Sequence, residues 1–90
     1  MDTLKDTIKP ILIKYGVTEA SFFGSYGKGT ADSSSDVDIL FMPPKDMGIE
    51  FVELKQELED NLNKQVDLVS YRAINPHLRE SILEHQKPIL

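Results

Sequence analysis

The stretch FFGSYGKGTADSSSDVDILF, residues 22–41, decides the fold. Two phenylalanines close an apolar run, and Gly24 and Ser25 follow at once. A short polar segment then leads to Asp36, Val37 and Asp38 at the head of a second apolar run. Side chains of an extended chain alternate between faces. Val37, Ile39 and Phe41 therefore point one way, into a core, while Asp36 and Asp38 point the other way together. Two carboxylates this close repel, and one takes up a proton unless a cation sits between them.

Further along, QVDLVSY (65–71) repeats the design. Val66 and Leu68 face one side, Asp67 and Val69 the other. If the two strands are neighbours, Asp67 can join Asp36 and Asp38. Three convergent carboxylates at strand ends make a hard, oxygen-rich site suited to Mg²⁺.

The remaining elements alternate around these strands. Residues 3–15 have the spacing of a helix with Leu4, Ile8, Ile11, Leu12 and Tyr15 on one face, capped by Asp2 or Thr3 and stopped by Gly16. Pro10 conflicts with that spacing, because an internal proline removes a hydrogen bond; the helix either kinks there or is two short pieces. VTEASFF (17–23) is a strand, and SYGKGTAD (25–32) is a short turn or a single helical turn. SDVDILFM (35–42) is the second strand, ended by Pro43 and Pro44. IEFVELKQELEDNLN (49–63) is the clearest helix, with Phe51, Leu54, Leu58 and Leu62 at helical spacing. NPHLRESILEHQ (75–86) is a last helix, with Asn75 as cap, Pro76 at its first position and Pro88 beyond its end. The pattern is α/β or α+β: a small mixed sheet flanked by helices.

Composition narrows the classes. Ninety residues is the length of one domain, 1–90. With 40% hydrophobic and 28% charged residues the profile is globular rather than disordered. The absence of cysteine excludes a disulfide scaffold, a thiol nucleophile and a cysteine zinc site. The N-terminal MDTLKDTIKP lacks an apolar signal core, and no segment approaches membrane-spanning length, so the expectation is a soluble, cytoplasmic chain without a membrane partner. A net charge of −5 argues against direct nucleic-acid binding, which rests on clustered Lys and Arg. It leaves room for a nucleotide held through metal ions, where acids serve an anionic phosphate.

Each motif alone has a plainer explanation. Asp36 can cap the serine-rich turn, Asp67 can be a solvated strand residue, and GSYGKG lacks the spacing of a P-loop. Their order favours function. Gly24 lets backbone approach a phosphate closely, Ser25 offers a hydroxyl and an N–H, and a short helix starting there adds favourable charge for an anion. The next strand brings the acids alongside.

Gly24-Ser25, a ten-residue spacer, Asp36-Val37-Asp38 and the later Asp67 together resemble the signature of the polymerase-beta-like nucleotidyltransferase superfamily. Almost the whole chain, including VDLVSYRAINPHLRESILEHQKPIL (66–90), is similar to its minimal nucleotidyltransferase (MNT) group. Where many relatives have Gly-Ser-Arg-x-Arg-Gly, this chain has Tyr26 and Lys28. Lys28 keeps the charge without the bidentate fork; Tyr26 loses the charge. The resemblance implies two Mg²⁺ ions held by Asp36, Asp38 and Asp67, ATP as substrate, phosphate contacts from Gly24, Ser25 and Lys28, and Asp67 as acceptor of the hydroxyl proton. It also implies a partner, since no residues remain for an acceptor-binding domain. The candidate that the resemblance implies is a HEPN-domain ribonuclease toxin, neutralised by transfer of AMP to a tyrosine. A binding-only antitoxin and a transferase for a small molecule such as an aminoglycoside are the alternatives.

Overall fold

The structure is a computed structural model that describes residues 2–32 and 35–90. The chain begins with helix α1 (Asp2–Lys14) and strand β1 (Ala20–Phe23), then passes through the short helix α2 (Gly24–Lys28) into strand β2 (Val37–Phe41). Helix α3 (Glu50–Leu62) leads to strand β3 (Val66–Ser70), a 3₁₀ turn (Tyr71–Ala73), helix α4 (Pro76–Glu84) and strand β4 (Lys87–Pro88). The sheet order is β3-β2-β1-β4. β1 pairs antiparallel with both β2 and β4, whereas β2 and β3 run parallel, with α3 as the crossover between them. This is the small mixed sheet with helices expected from the sequence.

One face of the sheet carries the core. Val37, Ile39 and Phe41 of β2 and Val66 and Leu68 of β3 are buried against Ile8, Ile11 and Leu12 of α1 and Leu54 and Leu58 of α3. The apolar stripes of both helices land on this face, with Phe51 and Leu62 packed at its margin. The rings of Phe41 and Phe51 stand 5.9 Å apart. α1 and α3 are also joined at the surface, where Glu57 accepts from Lys14 Nζ at 2.9 Å and from the Tyr15 hydroxyl at 3.0 Å.

Helix ends follow the local chemistry. α1 is continuous through Pro10, whose exposed position lets the lost N–H bond go unpunished by burial. Its end is a Schellman turn: Gly16 has φ +82°, the Val17 N–H donates to the Leu12 carbonyl at 3.0 Å, and the Gly16 N–H donates to that of Ile13 at 3.0 Å. The Asp2 and Thr3 side chains proposed as its N-cap lie outside the described side chains. Asn75 caps α4 as expected, its Oδ1 accepting the His77 N–H at 2.9 Å, with Pro76 first in the helix.

The last residues depart from expectation. α4 stops at Glu84, two residues short of the expected end, and Lys87 and Pro88 beyond it form an edge strand on β1. The N–H groups of Ile89 and Leu90 both donate to the Ala20 carbonyl, and Ile89 is buried. An edge strand tolerates proline, which has no N–H to give to a ladder. Behind it, the Tyr71 hydroxyl donates to Gln86 Oε1 at 3.0 Å and lies 3.1 Å from the Ser21 hydroxyl, so the buried Ser21 is satisfied.

Candidate active site

The sheet register assembles the acids. Asp38 and Asp67 are direct partners across the parallel β2–β3 pair, so their side chains emerge on the same face, opposite α1 and α3. Asp67 is exposed and Asp38 half-buried; Asp36, exposed, immediately precedes β2. Ahead of Asp36, the Asp32 N–H donates to Ser35 Oγ at 3.0 Å, and the Ser35 N–H donates to the Asp32 carbonyl at 3.1 Å.

Burial, the charge of Asp67, the charge of Asp36 and a hydrogen bond shared with Asp67 all hold the Asp38 carboxyl above the usual carboxylate range. Crowded carboxylates of this kind favour whatever neutralises them, a proton or a cation. Among the described residues no three acidic or histidine side chains close into a metal cage. The donors nevertheless fit Mg²⁺, a hard cation that keeps several waters and takes one or two carboxylates together with substrate phosphates.

Gly24 opens α2 directly after β1, with φ +64°. A Cβ built there would fall on the Asp38 carboxylate, with Asp38 Cγ 3.1 Å away. Beside the phosphate role expected of Gly24, its immediate neighbour is the acid itself. The backbone of Ser25 is in α2, next to Gly24, and its side chain lies outside the described side chains. Lys28 is exposed in the last turn of α2.

Tyr26 is more than a lost arginine. It is buried, with its ring 5.7 Å from that of Phe22, and belongs to the core. No spacing in the sequence marked it, because Phe22 belongs to β1 and Tyr26 to α2. Gly27 is equally constrained: a Cβ there would run into the His85 carbonyl oxygen and lie 3.1 Å from that of Phe22. α2 is therefore packed against β1 and the residues after α4 rather than being a free loop.

A Gly-Ser helix start and an Asp-x-Asp strand, with a third acid brought beside them by a parallel strand, define the core of a nucleotidyltransferase. Residues 6–90 match the family described as polymerase beta, nucleotidyltransferase. The chain is similar to a Methanocaldococcus jannaschii protein provisionally named a protein adenylyltransferase, with 41% identity over 92 residues spanning 100% of this chain and 98% of the relative. It is also similar to protein adenylyltransferase MntA of Thermococcus cleftensis, 36% identical over 77 residues, 83% of this chain and 77% of that one. A crystal structure of a toxin–antitoxin pair with AMP-PNP matches with a TM-score of 0.80 at 28% identity, covering 96% of this chain and 72% of the other. The fold is shared, at 24% identity and a TM-score of 0.76, by a chain from the structure of tri-AMPylated Shewanella oneidensis HEPN toxin in complex with MNT antitoxin; the match covers 99% of this chain and 71% of that one. The chain belongs to the polymerase beta nucleotidyltransferase family.

Proposed function

We propose that residues 1–90 act as a single minimal nucleotidyltransferase domain, an AMPylating antitoxin that transfers AMP from ATP to a tyrosine hydroxyl of a HEPN ribonuclease toxin. The observation that carries this reading is the register that sets Asp67 beside Asp38, next to the Gly24-Ser25 helix start. The adenylyltransferase names of the relatives and the AMP-PNP complex of a similar chain support ATP as the donor. The same reading places both proteins in the cytoplasm; no helix among the described residues is long and apolar enough to cross a membrane.

Asp36, Asp38 and Asp67 would hold two Mg²⁺ ions, whose charge offsets that of the phosphate oxygens and lowers the pKa of the acceptor hydroxyl. Gly24 leaves the space in which the Asp38 carboxylate stands. The backbone N–H groups of Gly24 and Ser25 and the ammonium of Lys28 bind the phosphate chain. Asp67, exposed beside Asp38 on β3, takes the proton of the acceptor hydroxyl. The acceptor oxygen bonds to the α-phosphorus while the bond from that phosphorus to the α,β-bridging oxygen breaks. Its electron pair leaves with pyrophosphate, and no covalent enzyme intermediate forms.

Intact-mass spectrometry tests the proposal on a mixture of the chain, ATP, Mg²⁺ and the HEPN protein encoded beside it. One or more AMP units on the partner, absent with Asp67→Asn, is the expected result. An inhibited but unmodified partner identifies a masking antitoxin. AMP on an added small-molecule alcohol and on neither protein identifies a small-molecule transferase.

A further inference from the structure

The acid face of the sheet has an apolar part that the main core does not explain. Leu40 stands two residues after Asp38 on β2 and points to the same face. It is fully buried, yet it does not belong to the cluster beneath α1 and α3. Its register partners are Ser21 on β1 and Val69 on β3. Tyr71, directly after β3, donates its hydroxyl to Gln86 Oε1 at 3.0 Å and lies 3.1 Å from the Ser21 hydroxyl. Because β2 lies between β3 and β1, the Tyr71 side chain crosses β2 on this face, over Leu40. With its hydroxyl held there, the half-buried Tyr71 offers ring carbon beside the half-buried Val69.

The position of this patch relative to the acids decides what it can hold. Gly24, at the end of β1, lies against the Asp38 carboxylate from one side, and Asp67 on β3 adjoins it from the other. Transfer at phosphorus sets the attacking and leaving oxygens roughly in line. With pyrophosphate leaving toward Gly24 and Ser25, the acceptor enters from the β3 side. β3 is an edge strand, so no further strand closes that side. Successive same-face residues of a strand are about 7 Å apart, close to the length of a tyrosine side chain from its hydroxyl to Cβ. We propose that Val69 and Tyr71 form the acceptor subsite, taking the apolar face of the partner's tyrosine ring while its hydroxyl reaches Asp67. An aromatic ring gains there from ring and methyl contacts that a serine lacks. This inference rests on the transferase reading above and adds the residues that select the acceptor. The competing occupant is the nucleobase of ATP.

Two measurements on the full chain separate them: kcat/KM for AMP transfer to the HEPN protein encoded beside it, and calorimetric titration with ATP and AMP in Mg²⁺. They are made on wild type, Val69→Thr, Val69→Ile, Tyr71→Leu and, as a control exposed on α3, Val52→Thr, each below its melting temperature. Val69→Thr keeps the branched shape and replaces a methyl with a hydroxyl, so the strand survives. The expected result is kcat/KM for the partner lowered about 3- to 10-fold in Val69→Thr and Tyr71→Leu. ATP and AMP affinities stay unchanged, Val69→Ile retains transfer, and Val52→Thr has no effect. Weaker binding of both ATP and AMP in Val69→Thr overturns the proposal and gives the patch to the nucleobase. Unaltered transfer and unaltered nucleotide binding also overturn it and leave Val69 and Tyr71 as packing over Leu40. In both of these cases wild type still transfers AMP and only this inference falls; if wild type transfers none to the partner, the transferase reading falls with it.

Discussion

Asp38 is where the demands of folding and of catalysis diverge most sharply. Its carboxyl is held above the usual range by burial and by two like charges, so the native state binds that proton more tightly than the unfolded chain does. The resulting stability is fully present below the ordinary aspartate value and is lost as pH rises through the raised native one. Urea melts in EDTA should therefore show the wild type weakening across that window, and Asp38→Asn should flatten the dependence and raise the melting temperature at neutral pH. The same variant should transfer no AMP. Retained transfer would rule out a metal-ligand role for this acid. Gly24→Ala should act through the same carboxylate. It strains a positive φ, at about 1–2 kcal/mol, and displaces Asp38 as well, so chemical denaturation and a transfer assay should both show losses. The acids were visible in the sequence because strand alternation makes Asp-x-Asp a one-face pattern. The buried side of Tyr26 was hidden, because a comparison with arginine-bearing relatives asks what charge was lost rather than what Phe22 gained.

Among the elements, the two long helices were predictable because each carries its own apolar stripe. α3 is the plainer case, with Leu54 and Leu58 fully buried one turn apart. Leu58→Ala should cost about 2–5 kcal/mol, a large share of what a small domain has, and a urea midpoint measures it. Asn75→Ala should cost about 1 kcal/mol through the lost cap of α4. β4 and the 3₁₀ turn leave no mark in the sequence for a physical reason. Two residues show no periodicity, and β4 exists only because β1 offers a free edge and the Ala20 carbonyl receives the N–H groups that follow. Pro10 gave the opposite lesson: a residue that argues locally for a break sits inside a continuous helix because the buried side of α1 holds it together.

Over the whole molecule, α1 and α3 cover one sheet face and the acids emerge on the other, so core and chemistry scarcely compete for the same residues. The net charge of −5 adds long-range steering. On the proposed reading the partner binds RNA and presents a basic surface, so its association should slow about tenfold or more from low to high salt while dissociation changes little. Stopped-flow mixing at a series of ionic strengths checks this.

The parallel pairing of β2 with β3 also bears on how such a gene can decay. A one-residue deletion within β3 shifts every later side chain to the opposite face. Deleting Val66 puts either Gln65 or Asp67 in the core-facing place beside Val37, whereas deleting Leu68 lets Val69 and Ser70 take the next inward and outward places and leaves Asp67 beside Asp38. Losses ahead of Asp67 therefore act on stability first, by forcing a polar side chain into the core, while losses after it leave the acid pair in register. Single-base changes at Asp36, Asp38 or Asp67 leave the ladder intact. A folded chain that has lost the transfer reaction but still occupies its partner is thus reached by substitution at the acids, and deletion of Val66 should yield none.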